Sequence, residues 1–240
     1  MLNQAFNLPV FARNMVAREH AVAKIQPTMP INFAALGGCG VMTGVGAAFN
    51  AAKLEPGRTV SVGGCGSIGL SVVDSAALAG PSRIIAIDTV ASKLETANEI
   101  GTIETINVSN VDALGTVKEI TEGASLPYCF EVLGLKTTAE QCSAMLRPGG
   151  VATIVGMIAT GTAIEPRGAE FLGNRQMQRT GMGGNWFRVA MPRLPEPSRQ
   201  SRLNLDMPIS GTIKLQEINE AFAKLKPSAP AKQLMDFGVA

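Results

Sequence analysis

The sequence predicts an α/β protein built on a doubly wound parallel sheet, with a smaller second region assembled from both ends of the chain. Three observations carry this. Apolar, β-branched runs alternate with helix-like segments from residue 58 to 157, as in a parallel sheet covered on both faces. A glycine-rich turn joins the first run to the first helix. The segments on either side of this stretch do not share its alternation.

Taken in order, RTVSVG (58–63) is a buried strand, and SIGLSVVDSAALAG is the helix after it, closed by Pro81. RIIAID (83–88) is the second strand. ASKLETANEIG is a helix with a charged wet face and Gly101 as its stop. ETINV and VDALGTVKEITEGA give a third strand and helix. YCFEVLG (128–134), TTAEQCSAMLRPGG and VATIVGM (151–157) give strand, helix and strand. Each helix returns the chain to start a parallel strand, so the crossovers are right-handed and the strand order reverses beside the first strand. Ligands bind at such a reversal.

The ends read differently. FARNMVAREHAVAKI (11–25) alternates like two antiparallel strands, LQEINEAFAKLK is an amphipathic helix and KQLMDF a possible strand. MPRLPEPSRQ holds three prolines and cannot be a regular helix. Residues 25–52 carry no charge and are long enough to span a bilayer, with Gly40-x-x-x-Gly44 inside. Pro27, Pro30, Asn32, Asn50 and five glycines between 37 and 46 dilute that hydrophobicity, so a buried, tightly packed helical segment is expected, and no membrane partner.

At 240 residues, 46% of them hydrophobic, the chain can bury a core without disulfides or metals as staples. A formal net charge of +2 gives no bias toward nucleic acid. Seven arginines between 167 and 202 lack interleaved aromatics and read as a solvated surface rather than a phosphate footprint. The cysteines at 39, 65, 129 and 142 form no C-x-x-C pair, and the N-terminus has no basic start followed by an apolar core. A reduced, cytoplasmic setting is expected.

The tetrapeptide Gly-Gly-Cys-Gly occurs twice, around Cys39 and around Cys65. In the second copy Gly64, Gly66 and Gly69 fit G-x-G-x-x-G behind a strand and at a helix start, and Asp88 ends the next strand. That is the fingerprint of a dinucleotide-binding Rossmann unit. Gly64 permits the tight turn, Gly66 lets a pyrophosphate approach the backbone, and Gly69 lets helix and sheet pack closely. The amides of Ser67, Ile68 and Gly69, with the helix dipole, hold the diphosphate. Asp88 accepts from both hydroxyls of an adenosine ribose and repels a 2′-phosphate, which favours NAD over NADP; Lys93 adds a ribose contact. Cys65 is then a small loop residue. By composition, Cys39 is more often a small buried residue than a metal ligand, and the single histidine, His20, reads as a surface residue.

Taken together, AALGGCGVMTGVGAAFNAAKLEPGRTVSVGGCGSIGLS, RIIAIDTVASKLE, YCFEVLG, LRPGGVATIVGM and LQEINEAFAKLK closely resemble the zinc-dependent medium-chain alcohol dehydrogenases, in particular their class III, glutathione-dependent formaldehyde dehydrogenase branch. The resemblance runs from about Phe11 to Phe237. It implies NAD and zinc as cofactors, a small alcohol or aldehyde as substrate, and a homodimer or larger oligomer. It makes Cys39 the last of three protein ligands to a catalytic zinc, places Thr43 at the nicotinamide end, and has Val132, Leu133, Val155 and Gly156 line the cofactor. Lys232 stands where many relatives carry an arginine for the cofactor phosphate, keeping the charge but not the bidentate fork. The implied division is 1–40 as a remnant of a GroES-like catalytic domain, 41–182 as the Rossmann domain, and 183–240 as the return to the remnant. The sequence departs from the family in lacking the lobe that supplies the first zinc cysteine, the G-H-E histidine, the proton-relay hydroxyl and the four-cysteine structural zinc loop. Pro195 and Pro197 also interrupt a usual helix. The sequence assigns no catalytic residue, and a shortened chain of little activity, or a non-catalytic NAD-binding module, is expected.

Overall fold

A computed structural model describes residues 11–193, 209–224 and 232–238. Six parallel strands form the main sheet: β1 (Thr59–Gly63), β2 (Arg83–Asp88), β3 (Glu104–Asn107), β4 (Leu126–Glu131), β5 (Leu146–Ile154) and β6 (Gln176–Arg179), in the order β3-β2-β1-β4-β5-β6. Helix α1 (Ile31–Ala51) precedes the sheet. The strands are linked by α2 (Ser67–Ala79), α3 (Ala91–Ile100), α4 (Ala113–Ile120) and α5 (Lys136–Ala144). The order reverses between β1 and β4, as the doubly wound reading requires.

Strand residues alternate between two buried layers, because successive side chains point to opposite faces. Val60, Val62, Ile84 and Phe130 pack with Val72, Val73 and Ala76 of α2. Ile85, Ile87, Ile106, Cys129 and Ala152 pack with Val117 of α4 and Cys142 of α5. Each fully buried aliphatic side chain contributes roughly 1.5–3 kcal/mol relative to exposure. The carboxyl ends finish nearly level, with Gly63 paired to Ile87 and Glu131, and Glu131 to Ile154.

Helix α1 answers the uncharged stretch. It is long and apolar enough to cross a membrane, yet 61% of its most apolar window is buried within the protein. Its hydrogen bonding widens to π turns at Gly37–Val41 and Ala47–Ala51. The first Gly-Gly-Cys-Gly therefore lies in a helix and the second in a strand-to-helix loop, and the copies share no structural role. The division expected after residue 40 falls inside α1.

At Gly44 the backbones of α1 and α2 touch: a Cβ there would overlap Ser71 Cβ and lie 2.8 Å from the Val72 nitrogen. Gly44→Ala is expected to destabilise the fold by about 1–3 kcal/mol through overpacking. Gly38, exposed and with nothing within 4 Å of its Cβ position, gives the contrast. Gly38→Ala is expected to be neutral or to stabilise by up to about 1 kcal/mol, as alanine does in a helix. Urea midpoints of the two variants check both.

A loop clasps α1 from outside the sheet. Asn185 donates from Nδ2 to the carbonyls of Met42 (2.6 Å) and Met182 (2.8 Å) and accepts from Asn50 Nδ2 at 3.0 Å. Gly183 sits at φ +71°, and a Cβ there would lie 2.6 Å from the Thr43 carbonyl oxygen. Beyond the loop come α6 (Phe187–Ala190), β7 (Ile209–Lys214), α7 (Ile218–Lys224) and β8 (Lys232–Asp236). β7 and β8 pair in parallel as a separate two-stranded sheet.

The two strands expected in residues 11–25 are not formed. That segment holds a single 3-10 turn, Glu19–Ala21, and otherwise irregular chain. Among the described residues no strand lies beside it to complete a ladder. It instead reaches the C-terminal segment: Arg13 donates from Nε (3.2 Å) and Nη2 (3.0 Å) to the Phe237 carbonyl, and the Phe11 and Phe222 rings meet edge-on, centroids 6.0 Å apart. The segments around Phe11–Arg13 and Phe222–Phe237 thus meet, without antiparallel strands in residues 11–25. Pro195 and Pro197 lie outside the described residues.

Candidate functional site

The site follows from how β1 ends. The Gly64 amide donates to the Ile87 carbonyl at 2.8 Å, and the chain then turns through φ +97° at Gly64, a value that side-chain-bearing residues rarely adopt. The Leu133 side chain lies over this turn, with Cγ 2.8 Å from where a Gly64 Cβ would stand. α2 starts at Ser67 with Gly66 as an extended N-cap and no side-chain cap. The first-turn amides of a helix have no intrahelical acceptor, so those of Ser67, Ile68 and Gly69 face outward with the positive end of the dipole. A Cβ at Gly66 would meet nothing within 4 Å, whereas one at Gly69 would overlap the Gly64 carbonyl oxygen.

Asp88, 5% exposed at the end of β2, is turned toward this loop. Its Oδ2 accepts from the Cys65 amide at 2.7 Å and its Oδ1 from the Val90 amide at 3.0 Å. Each carboxylate oxygen retains a second lone pair for a ligand. Lys93 is buried on α3, and its charge reaches the Cys65 thiol.

Burial, and secondarily the Asp88 charge, push the Cys65 thiol from 9.0 up to about 12. The folded protein holds this proton where the unfolded chain has lost it. The contribution is therefore complete below about pH 9 and falls by roughly 1.4 kcal/mol per pH unit up to about pH 12. Chemical denaturation at about pH 8 and pH 10 is expected to show a smaller loss of stability in Cys65→Ala than in the parent.

Between the ends of β2 and β4 lies an apolar hollow of about 80 Å³, lined by Asp88, Thr89, Val108, Leu133 and Thr138 among others. Across the reversal, the Val132 amide donates to the Gly63 carbonyl at 2.9 Å, and those of Val155 and Gly156 donate to the Glu131 carbonyl at 2.8 and 3.1 Å. Val132, Val155 and Gly156 are thus tied to the carboxyl ends of β1 and β4, and Leu133 lines the hollow. Thr43 is buried, its hydroxyl 4.0 Å from Met182 Sδ. Lys232 opens β8, and its side chain lies outside the described residues.

Sequence reasoning missed Glu131. It is 1% exposed, and its Oε1 accepts from the amides of Leu133 (2.9 Å), Gly134 (2.8 Å) and Leu135 (3.5 Å) and from the Thr138 hydroxyl (2.7 Å). Its Oε2 is buried with no hydrogen-bond partner. The available signal was an acidic residue closing an otherwise apolar strand.

These features fit a dinucleotide. The described residues do not by themselves complete a catalytic zinc site: Cys39 is exposed on α1, His20 is exposed in the Glu19–Ala21 turn, and no three His, Cys, Asp or Glu side chains gather among the described residues. A catalytic zinc needs three protein ligands and an open position.

Comparison with known proteins bears on the family and the fold. The family model described as zinc-binding dehydrogenase matches residues 67–196. A class-3 alcohol dehydrogenase of Pisum sativum is 36% identical over 218 residues, and one of Oryza sativa subsp. japonica is 34% identical; each match covers 88% of this chain. The chain spans 57% and 56% of the lengths of these relatives. Among solved structures, benzyl alcohol dehydrogenase from Acinetobacter calcoaceticus aligns with a TM-score of 0.87 at 28% identity, covering 92% of this chain and 61% of that one. An alcohol dehydrogenase zinc-binding domain protein from Burkholderia ambifaria aligns at 0.82 and 31%, covering 87% and 56%.

Proposed function

Since the chain belongs to the zinc-binding dehydrogenase family, we propose that it serves an NAD-dependent oxidoreduction, with hydride passing between NAD and a primary alcohol or hydroxymethylglutathione. The observation that carries this is the uncapped opening of α2 behind Gly64, Gly66 and Gly69, with Asp88 2.7 Å from the loop amide. The amides of Ser67, Ile68 and Gly69 would hold the diphosphate, and the open space over Gly66 admits it. Asp88 and Lys93 would orient the adenosine ribose, with the adenine in the hollow beside Leu133. Val132, Val155 and Gly156 would carry the other half of the nucleotide toward Thr43, and Lys232 would add charge at the phosphates. When bound, NAD supplies the hydride acceptor. Cys39 stands without co-ligands among the described residues.

In this reading 41–182 is the nucleotide domain, and 1–40 with 183–240 belong to the other region. The edge strand β6, paired only with β5 among the described residues, and the exposed Leu172 support a homodimer or larger assembly. Four free thiols suit a cytoplasmic setting. That Cys39 has no co-ligands among the described residues favours a second reading, a non-catalytic NAD-binding module; alcohol-dependent formation of NADH separates the two.

Titration of NADH by its fluorescence tests the shared claim. Asp88→Ala removes an ionised acceptor and is expected to weaken NADH about 10–100-fold. Absence of binding in the parent, or unchanged affinity in the variant, would overturn it.

A further inference from the structure

Two nucleophiles in the hollow have no part in the nucleotide reading. Cys129 lies on β4 and Cys142 on α5; both are 3% exposed, both line the hollow, and both belong to one core cluster. Both thiols therefore border the same small space, and neither is in a disulfide. Burial first, and the nearby Cys129 thiol second, hold the Cys142 thiol well above its ordinary range. It therefore stays protonated at neutral pH, and simple alkylating agents that need a thiolate react slowly with it. A soft centre that binds two sulfurs at once meets a different situation, since both cysteines border one hollow of about 80 Å³.

We propose that Cys129 and Cys142 form a dithiol site for a small thiophilic centre of the trivalent-arsenical class, set in the floor of the hollow. With monomethylarsonous acid, each thiol displaces one hydroxide from arsenic. Two As–O bonds break, two As–S bonds form, and the thiol protons leave with the hydroxides as two molecules of water, with no change of oxidation state. Cys39, exposed on α1, offers a single sulfur and loses the arsenical on washing. The site shares the hollow given above to adenine but does not depend on that reading.

The experiment treats the folded chain with monomethylarsonous acid and measures intact mass after washing. One methylarsenic unit in place of two hydrogens is expected. Cys142→Ala and Cys129→Ala are each expected to weaken retention about 100-fold, because two-point attachment is lost. Cys39→Ser is expected to retain it, and a thermal melt of each variant confirms that it is folded. No adduct in the parent, or an adduct that survives in folded Cys142→Ala, would overturn the proposal. Should either alanine variant fail to melt cooperatively, peptide mapping of the parent adduct decides: arsenic on any pair other than 129 and 142 overturns it. NADH titration of the adduct keeps the two readings apart. Loss of NADH binding supports a shared hollow. A stable adduct with unchanged NADH affinity upholds the dithiol site and removes adenine from the hollow.

Discussion

Gly69→Ala is expected to lose both stability and nucleotide binding, whereas Gly66→Ala, three residues earlier, loses only binding. A methyl at Gly69 would occupy the position of the Gly64 carbonyl oxygen. Backbone on both sides leaves no flexible group to yield, so the first turn of α2 must lift from the end of β1. Overpacking of this kind costs about 3 kcal/mol or more. The displaced amides would no longer converge, and NADH affinity is expected to fall by over about 100-fold, roughly 3 kcal/mol. At Gly66 a methyl meets nothing, and its φ of −74° suits any residue. Its melting temperature should match the parent, while the methyl fills the space a diphosphate needs. Thermal melts and NADH fluorescence on both variants check the contrast; equal NADH affinity in parent and Gly66→Ala would contradict the loop's assigned role.

Glu131→Ala is expected to produce the second large effect. Truncation strands the amides of Leu133 and Gly134 and the Thr138 hydroxyl, which now converge on Oε1 at 2.7–2.9 Å. Each buried donor left without an acceptor costs about 1–3 kcal/mol, so a loss of about 3–5 kcal/mol is expected in urea unfolding. Glu131→Gln keeps an acceptor at Oε1 and replaces the partnerless Oε2. It is expected to stay within about 1–2 kcal/mol of the parent. Equal losses in the two variants would show that the convergence on Oε1 is not what holds this corner.

The main sheet was legible because its strands are buried on both faces and read as unbroken apolar runs, each followed by a helix that fixes a parallel return. The glycine loop was legible for the same local reason, since strand, turn and helix are consecutive. What failed to show depends on contacts between distant segments. Residues 11–25 carry a strand-like alternation but have no neighbouring strand among the described residues, and a strand without a ladder partner does not form. β5 begins at Leu146, not at 151, because Leu146 pairs with Leu126 across an irregular register that Pro148 and Gly149 disguise as a plain turn. Glu131 read as an ordinary strand end; its role exists only once the turn after β4 folds three amides back onto it. The second π turn of α1 was equally hidden, as its Asn50 bonds to Asn185, 135 positions away.

The contact at Gly44 reaches further than packing. Neighbouring helices usually slide a little over one another because side chains between them can switch rotamers. α1 and α2 have no such cushion where Gly44 meets Ser71, and Asn185 pins the far side of α1. A push on α1 is therefore expected to pass to α2 at Ser71 with little damping, so that α1, α2 and the Asn185 loop move as one rigid beam.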